Sequence, residues 1–222
     1  MSANEIDPKI VALLFNVKKN QLKMVKRRGY DITKEKNILL ITEQQFAQTY
    51  IPFAESQNKS LREVLTYVYE DNNGKRLLVY YADANDDTVK LGISEVAPVI
   101  VQMKQYGVGD AIIISSKALS PSANKHIQGL LSYTIQVFDE IEMAYDPTAH
   151  FLVPKHIPLT REEAQEFLSS NNIDIEELPN ILSDDIIAKY YGLRQGDIVR
   201  IERENMFETS IIKSVSYKAI KG

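Results

Sequence analysis

The sequence predicts an α/β protein, α+β when its two parts are taken together, and three observations carry that expectation. Between Val64 and Phe138, short runs rich in β-branched and aromatic residues alternate with longer segments of helical periodicity. That alternation builds a small layered sheet. Asp146-Pro147-Thr148 then interrupts the chain, and fresh capping and proline signals follow it, so the expected domains are 1–146 and 147–222.

The elements follow in order. Ile10, Leu14, Val17, Met24 and Val25 recur at helical spacing with Lys19, Lys23, Lys26 and Arg27 on the opposite face, and Gly29 stops the helix. Thr42 with Gln45 makes a capping box for a short helix to Tyr50, and a polar loop runs from Glu55 to Ser60. Val64 to Tyr69 and Leu77 to Tyr81 read as strands around Asp71-Asn-Asn-Gly74, a hairpin signal. Ile93 to Tyr106 reads as a helix with Pro98 near its start, Ala111 to Ser115 as a buried strand, Ser120 to Leu130 as a helix and Thr134 to Phe138 as a strand.

In the second domain Pro154 and Pro158 keep the backbone extended. Thr160 and Glu163 cap a helix that turns Ala164, Phe167 and Leu168 inward and ends at Asn171-Asn172. Ser183 is the expected cap of another helix, with Asp184 and Asp185 in its first turn and Gly192 at its C′ position. Gly196 turns into a strand, Asp197 to Arg203, in which Val199 and Ile201 share a face, and Val215 to Ile220 can pair with it. About seventy residues make a marginal core, so this domain is expected to bury a face on a partner.

Composition narrows the function. With 44% hydrophobic and 25% charged residues the chain is an ordinary folded protein rather than a disordered one. It has no cysteine, which removes disulfides, thiolate metal sites and cysteine nucleophiles. No apolar run approaches the roughly 18 residues of a membrane span, and Met1 to Asp7 lacks the layout of a signal peptide. An intracellular protein without a membrane partner is expected. Net charge is −4, and neither half is basic in bulk, so nucleic-acid contact would be local. The one strong asymmetry is at the start, where Lys9, Lys18, Lys19, Lys23, Lys26, Arg27 and Arg28 face only Glu5 and Asp7. That basic helix face reads first as a solvated surface and second as a phosphate-facing one.

Catalytic residues are not expected, nor is a cofactor. His126, His150 and His156 lack the pairing of a metal site, and phosphate-loop and nucleophile-elbow patterns are absent. Asp86-Asp87 reads as a loop and Asp184-Asp185 as a helix start. A nuclease would want a Glu-x-Lys on a strand next to an Asp, and none occurs in the first domain. One place suits an anion. Ser120 as N-cap and Pro121 at the first helical position open a helix whose amides and dipole, with Lys117, Ser122 and Lys125 around them, could hold a phosphate, although a well-capped helix needs no ligand.

Several ordered islands resemble one family. Met24-Val-Lys-Arg-Arg-Gly-Tyr-Asp-Ile-Thr33, Ser120-Pro-Ser-Ala-Asn-Lys125, His150-Phe-Leu-Val-Pro-Lys-His-Ile-Pro-Leu-Thr160, Leu178-Pro179, Ala188-Lys-Tyr-Tyr-Gly192 and Arg194-Gln-Gly-Asp-Ile-Val-Arg-Ile201 are similar in order and spacing to the fifth subunit shared by the eukaryotic nuclear RNA polymerases. In that family the C-terminal domain by itself also forms a small subunit of the archaeal polymerase. The resemblance implies a noncatalytic subunit of a DNA-directed RNA polymerase. Its N-terminal part would be a jaw-like α/β domain touching the backbone of downstream duplex DNA through Lys117, Ser120, Pro121, Ser122 and Lys125. Its C-terminal part would be a small mixed assembly domain docking on the largest polymerase subunit through Pro154, His156, Pro179, Tyr190, Tyr191, Gly192 and Arg194.

The chain departs from the family's pattern at Asn180, where the family has Arg, at Ile186, where it has Pro, and at Ser210 to Lys213, which replaces Ser-Gly-Arg-Tyr. The similarity is weakest over Ala54 to Gly107, which favours a divergent copy carried by a large DNA virus over a cellular subunit. A viral protein would act in the host cytoplasm or the virion, a cellular one in the nucleus. The competing reading is a freestanding DNA-binding transcription regulatory module.

Overall fold

A computed structural model describes residues 6–83, 89–207 and 210–222, with the side chains at 205–207 and 210–212 outside that description. Asp86-Asp87 lies outside it too. The chain divides into two compact units, residues 1–145 and 146–222.

The first unit opens with α1 (Pro8–Arg27), where Asp7 caps the helix by accepting from the Lys9 amide. α2 (Glu43–Ser56) carries the expected capping box, but it runs six residues past Tyr50. Pro52 sits inside it, tolerated because Phe46 and Ala54 anchor the helix on either side. Ser60 and Glu63 form a second capping box and fold Leu61–Leu65 into α3, so the strand expected from Val64 starts only at Tyr67. A local cap outweighed the β propensity of Val64.

β1 (Tyr67–Glu70) and β2 (Arg76–Ala82) are antiparallel around the Asp71 turn. α4 (Ile93–Tyr106) then leads to β3 (Asp110–Ser115), α5 (Pro121–Gln128) to β4 (Thr134–Asp139), and α6 (Glu140–Met143) closes the unit. The sheet order is β1-β2-β3-β4, with β2, β3 and β4 parallel. One face, Leu78, Ala82, Ala111 and Ile113, packs on Val96, Val99 and Met103 of α4 and Ala123 and Ile127 of α5. The other face carries Tyr69, Val79, Tyr81, Ile112 and Ile114, with α1 against its two tyrosines. Helices on both faces are what parallel strands require.

Within that second layer lies a charge the hydrophobic pattern does not show. Lys18, one of the basic residues of the N-terminal stretch, is fully buried. Its ammonium pairs with Glu35 at 2.9 Å and donates to the Leu65 carbonyl at 3.0 Å and the Tyr69 hydroxyl at 3.1 Å. Tyr69 in turn donates its single hydroxyl proton to Glu35, with Gln21 Oε1 at 3.3 Å from the same oxygen. A second buried ion pair joins α3 to α6, where Arg62 holds both oxygens of Glu140 at 2.7 and 3.0 Å.

The second unit is a four-stranded sheet in the order β5-β7-β8-β6, between two helices. β5 is Lys155–Pro158, α7 Arg161–Asn171, β6 Asn180–Leu182, α8 Ile186–Tyr191, β7 Ile198–Phe207 and β8 Ser210–Lys221. The β7–β8 hairpin is longer at both strands than the sequence indicated. β6 was not foreseen. It pairs parallel with the end of β8, and the Ser183 amide continues that pairing by donating to the Lys221 carbonyl. Ser183 therefore is not the cap of α8. Asp185 takes that role, accepting from the Ile187 amide at 2.8 Å, and Asp184 stays outside the helix. Val199, Ile201 and Ile220 pack on Ala188 and Leu193 beside α8. The alternate residues Ile198, Ala219 and Tyr217 pack on α7, where Phe167 stacks on Tyr217 at 3.9 Å.

Candidate nucleic-acid and subunit interfaces

The residues expected around an anion lie beyond the C-terminal end of β3, next to that of β4, the end of a parallel sheet where ligands gather. β3 delivers Ser116 and Lys117, a short crossing follows, and Ser120 caps α5. Ser120 Oγ accepts from the Ala123 amide at 3.2 Å and shares a hydrogen bond with Ser122 Oγ at 3.1 Å. The crossing is held to the rest of the unit by Leu91, whose amide donates to the Ala118 carbonyl and whose carbonyl accepts from the Ser120 amide. Pro121 stands at the first helical position, as its sequence context suggests.

A cleft of about 600 Å³ opens there, and its walls include Lys90, Lys117, Pro121, Asn124, Asp139 and Glu142. The structure thus brings Lys117 and Pro121 together. Ser122 and Lys125 are exposed on α5 and do not line the cleft. Lys90, Asn124, Asp139 and Glu142 were not singled out by sequence. Their only prior signal is position: Asp139 ends the parallel strand β4, and Asn124 and Glu142 lie on the helices that follow β3 and β4. Asp139 and Glu142 give the cleft mixed charge.

The residues expected at a subunit interface are spread over both edges of the second sheet and α8 with the turn after it. Pro154 and His156 belong to the β5 edge of the second sheet, and Pro179 immediately precedes β6 at the other edge. Two strands lie between, a separation of about 14 Å at the usual spacing. Pro179 is exposed, and its carbonyl accepts from the Ala219 amide at 2.9 Å. Tyr190 is 2% exposed, its ring edge-on to the half-buried Tyr191. Gly192 adopts φ 69° and closes α8. Arg194 is exposed in the following turn, where its amide donates to Asp197 at 2.7 Å.

His156 is half-buried on the face that α8 covers, opposite Ile201. Its Nδ1 lies 2.7 Å from the Pro154 carbonyl, so that nitrogen carries the proton. Burial lowers the imidazole pKa. The Pro154 carbonyl and Asp185 pull it up, and Arg203 and Lys218 push it further down. Sequence reading did not single out the most exposed apolar pair among the described residues of this unit, Phe151 at 88% and Leu152 at 71%, just ahead of Val153 and Pro154. Their hydrophobicity was visible, but not their exposure, which leaves Phe151 with only the His150 ring stacked on it among the described aromatic contacts.

Among the described residues, no group of three or more His, Asp or Glu is placed to hold a metal ion, and no helix is long and apolar enough to cross a membrane. Residues 145–220 match the family model described as RNA polymerase Rpb5, C-terminal domain, which assigns the second unit to a class of RNA polymerase subunit domains. Over 86% of this chain and 88% of the relative, the protein is 31% identical to "DNA-directed RNA polymerases I, II, and III subunit RPABC1" of Caenorhabditis briggsae. It is 30% identical to the rpabc1 subunit of Dictyostelium discoideum, over 86% of this chain and 89% of that one. To "DNA-directed RNA polymerase subunit 5-like protein 1" of Arabidopsis thaliana it is 29% identical, over 88% and 90% respectively. The chain belongs to the Rpb5 (RPABC1) family of noncatalytic RNA polymerase subunits.

Proposed function

We propose that the second unit, 146–222, docks on the largest polymerase subunit, while the first unit acts as a jaw on the backbone of downstream duplex DNA. The observation that carries this reading is the extent of the similarity. It spans both units rather than the C-terminal domain alone and covers 88% of the relative. The exposed Phe151 and Leu152 beside Pro154 support docking, because a uniformly polar unit would have no apolar surface to bury. Lys117 and the α5 terminus support contact with phosphates, which is independent of base sequence and weakened by salt. The protein would act wherever its polymerase does: in the nucleus for a cellular enzyme, or in the cytoplasm or virion for one encoded by a large DNA virus.

The test is affinity purification of the chain from its native source at moderate salt, with mass spectrometry of what remains bound. Two very large polymerase subunits in stoichiometric amount are expected. Recovery of the chain alone, with duplex affinity of its own, would instead make it a freestanding DNA-binding transcription module.

A further inference from the structure

We propose that the solvent face of α1 is a second phosphate-contacting surface, on which Lys19, Lys23 and Lys26 follow one strand of duplex DNA. From Pro8 to Arg28 the sequence contains no acidic residue. Packing sorts the cations of this helix into two groups. Lys18 turns inward to Glu35, whereas Lys23 and Lys26 are exposed and Lys19 is half-buried on the opposite side.

Among the described residues, no carboxylate lies within ion-pair distance of these three. Three other exposed lysines in this net-acidic chain do have a carboxylate partner: Lys75 with Asp110 at 2.6 Å, Lys155 with Glu202 at 3.1 Å and Lys213 with Glu204 at 2.8 Å. The row is also held in place. Lys19 lies 4.8 Å over the Phe15 ring, and Lys23 donates to Asn20 Oδ1 at 3.2 Å. Asn20 itself donates to the Ala144 carbonyl at 2.6 Å, just after α6.

From Lys19 to Lys26 the helix rises about 10 Å. One DNA strand presents a phosphate about every 3.4 Å of axis, so three lysines meet about three phosphates. An acidic protein segment fits less well. Protein interfaces centre on apolar or aromatic anchors and are depleted in lysine, and none of the exposed large apolar residues belongs to α1.

The inference deepens the DNA-contacting reading of the first unit and rests on it. It is tested with the full chain, a fluorescent mixed-sequence duplex of about 30 base pairs and salt from about 25 to 150 mM. Three proteins are compared: wild type, Lys19→Gln/Lys23→Gln/Lys26→Gln and Lys117→Gln/Lys125→Gln. The α1 variant is expected to reduce the slope of log affinity against log salt by roughly 2.7, equally for two unrelated sequences. An unchanged slope in that variant, with a reduced slope in the Lys117/Lys125 variant, overturns the α1 surface and leaves the general DNA reading standing. Absence of duplex binding by wild type at the lowest salt overturns both. Tighter binding of a glutamate-rich peptide than of duplex, lost in the α1 variant, assigns the face to an acidic protein partner and overturns the proposal.

Discussion

Lys18 and His156 show how burial turns common residues into specific ones. Burial lowers the pKa of the Lys18 ammonium, and the charge and hydrogen bond of Glu35 oppose that shift. Lys18→Met would remove the ammonium donor from the Leu65 carbonyl and the Tyr69 hydroxyl and leave the Glu35 charge with only the Tyr69 hydroxyl. A loss of about 3 kcal/mol is expected in urea denaturation, with most of it recovered in Lys18→Met/Glu35→Leu. If the single variant is as stable as wild type, the pair is only a tolerated burial. For His156 the folded state disfavours the proton, so the unfolded chain binds more protons as pH falls below about 6.5. Its contribution is intact above that value and is lost as pH falls through the lowered folded pKa. Melting curves between about pH 7 and pH 5 should show that loss in wild type and a shallower one in His156→Gln; equal slopes would put the acid sensitivity elsewhere.

At the level of elements, end signals decided more than interior propensity. Capping residues at Thr42, Ser120 and Thr160 were legible and opened their helices where expected. Ser60-x-x-Glu63 was equally present in the sequence, but the β-branched run after it drew the strand forward. Ser183 failed as a cap for a different reason: its amide was already committed to β8, a partner far along the chain. The C-terminal end of α8 offers a direct check. Gly192 has φ 69°, and Asn172 holds φ 52° at the corresponding end of α7. Gly192→Val should cost on the order of 1 kcal/mol or more and Gly192→Asn distinctly less. Equal melting temperatures for the two variants would contradict a backbone origin.

For the molecule as a whole, the α/β class, the α4 and α5 crossovers, the β7–β8 pairing and the family were readable from local pattern and motif order. Each depends on residues near one another in sequence or on spacing that survives divergence. The candidate sites were readable only in part. Ser120 and Pro121 are local signals, but the cleft beside them also needs Lys90, Asp139 and Glu142, which three different segments deliver. Likewise Pro154 and Pro179 looked like members of one surface, and sheet order separates them to opposite edges. Composition placed seven cations in the first 28 residues. Only packing could send Lys18 to Glu35 and Tyr69 and leave Lys19, Lys23 and Lys26 outward. Periodicity determines which residues can share a face, whereas the partner that face meets is set by long-range contacts, and these decide whether a charge is buried and paired or left to solvent.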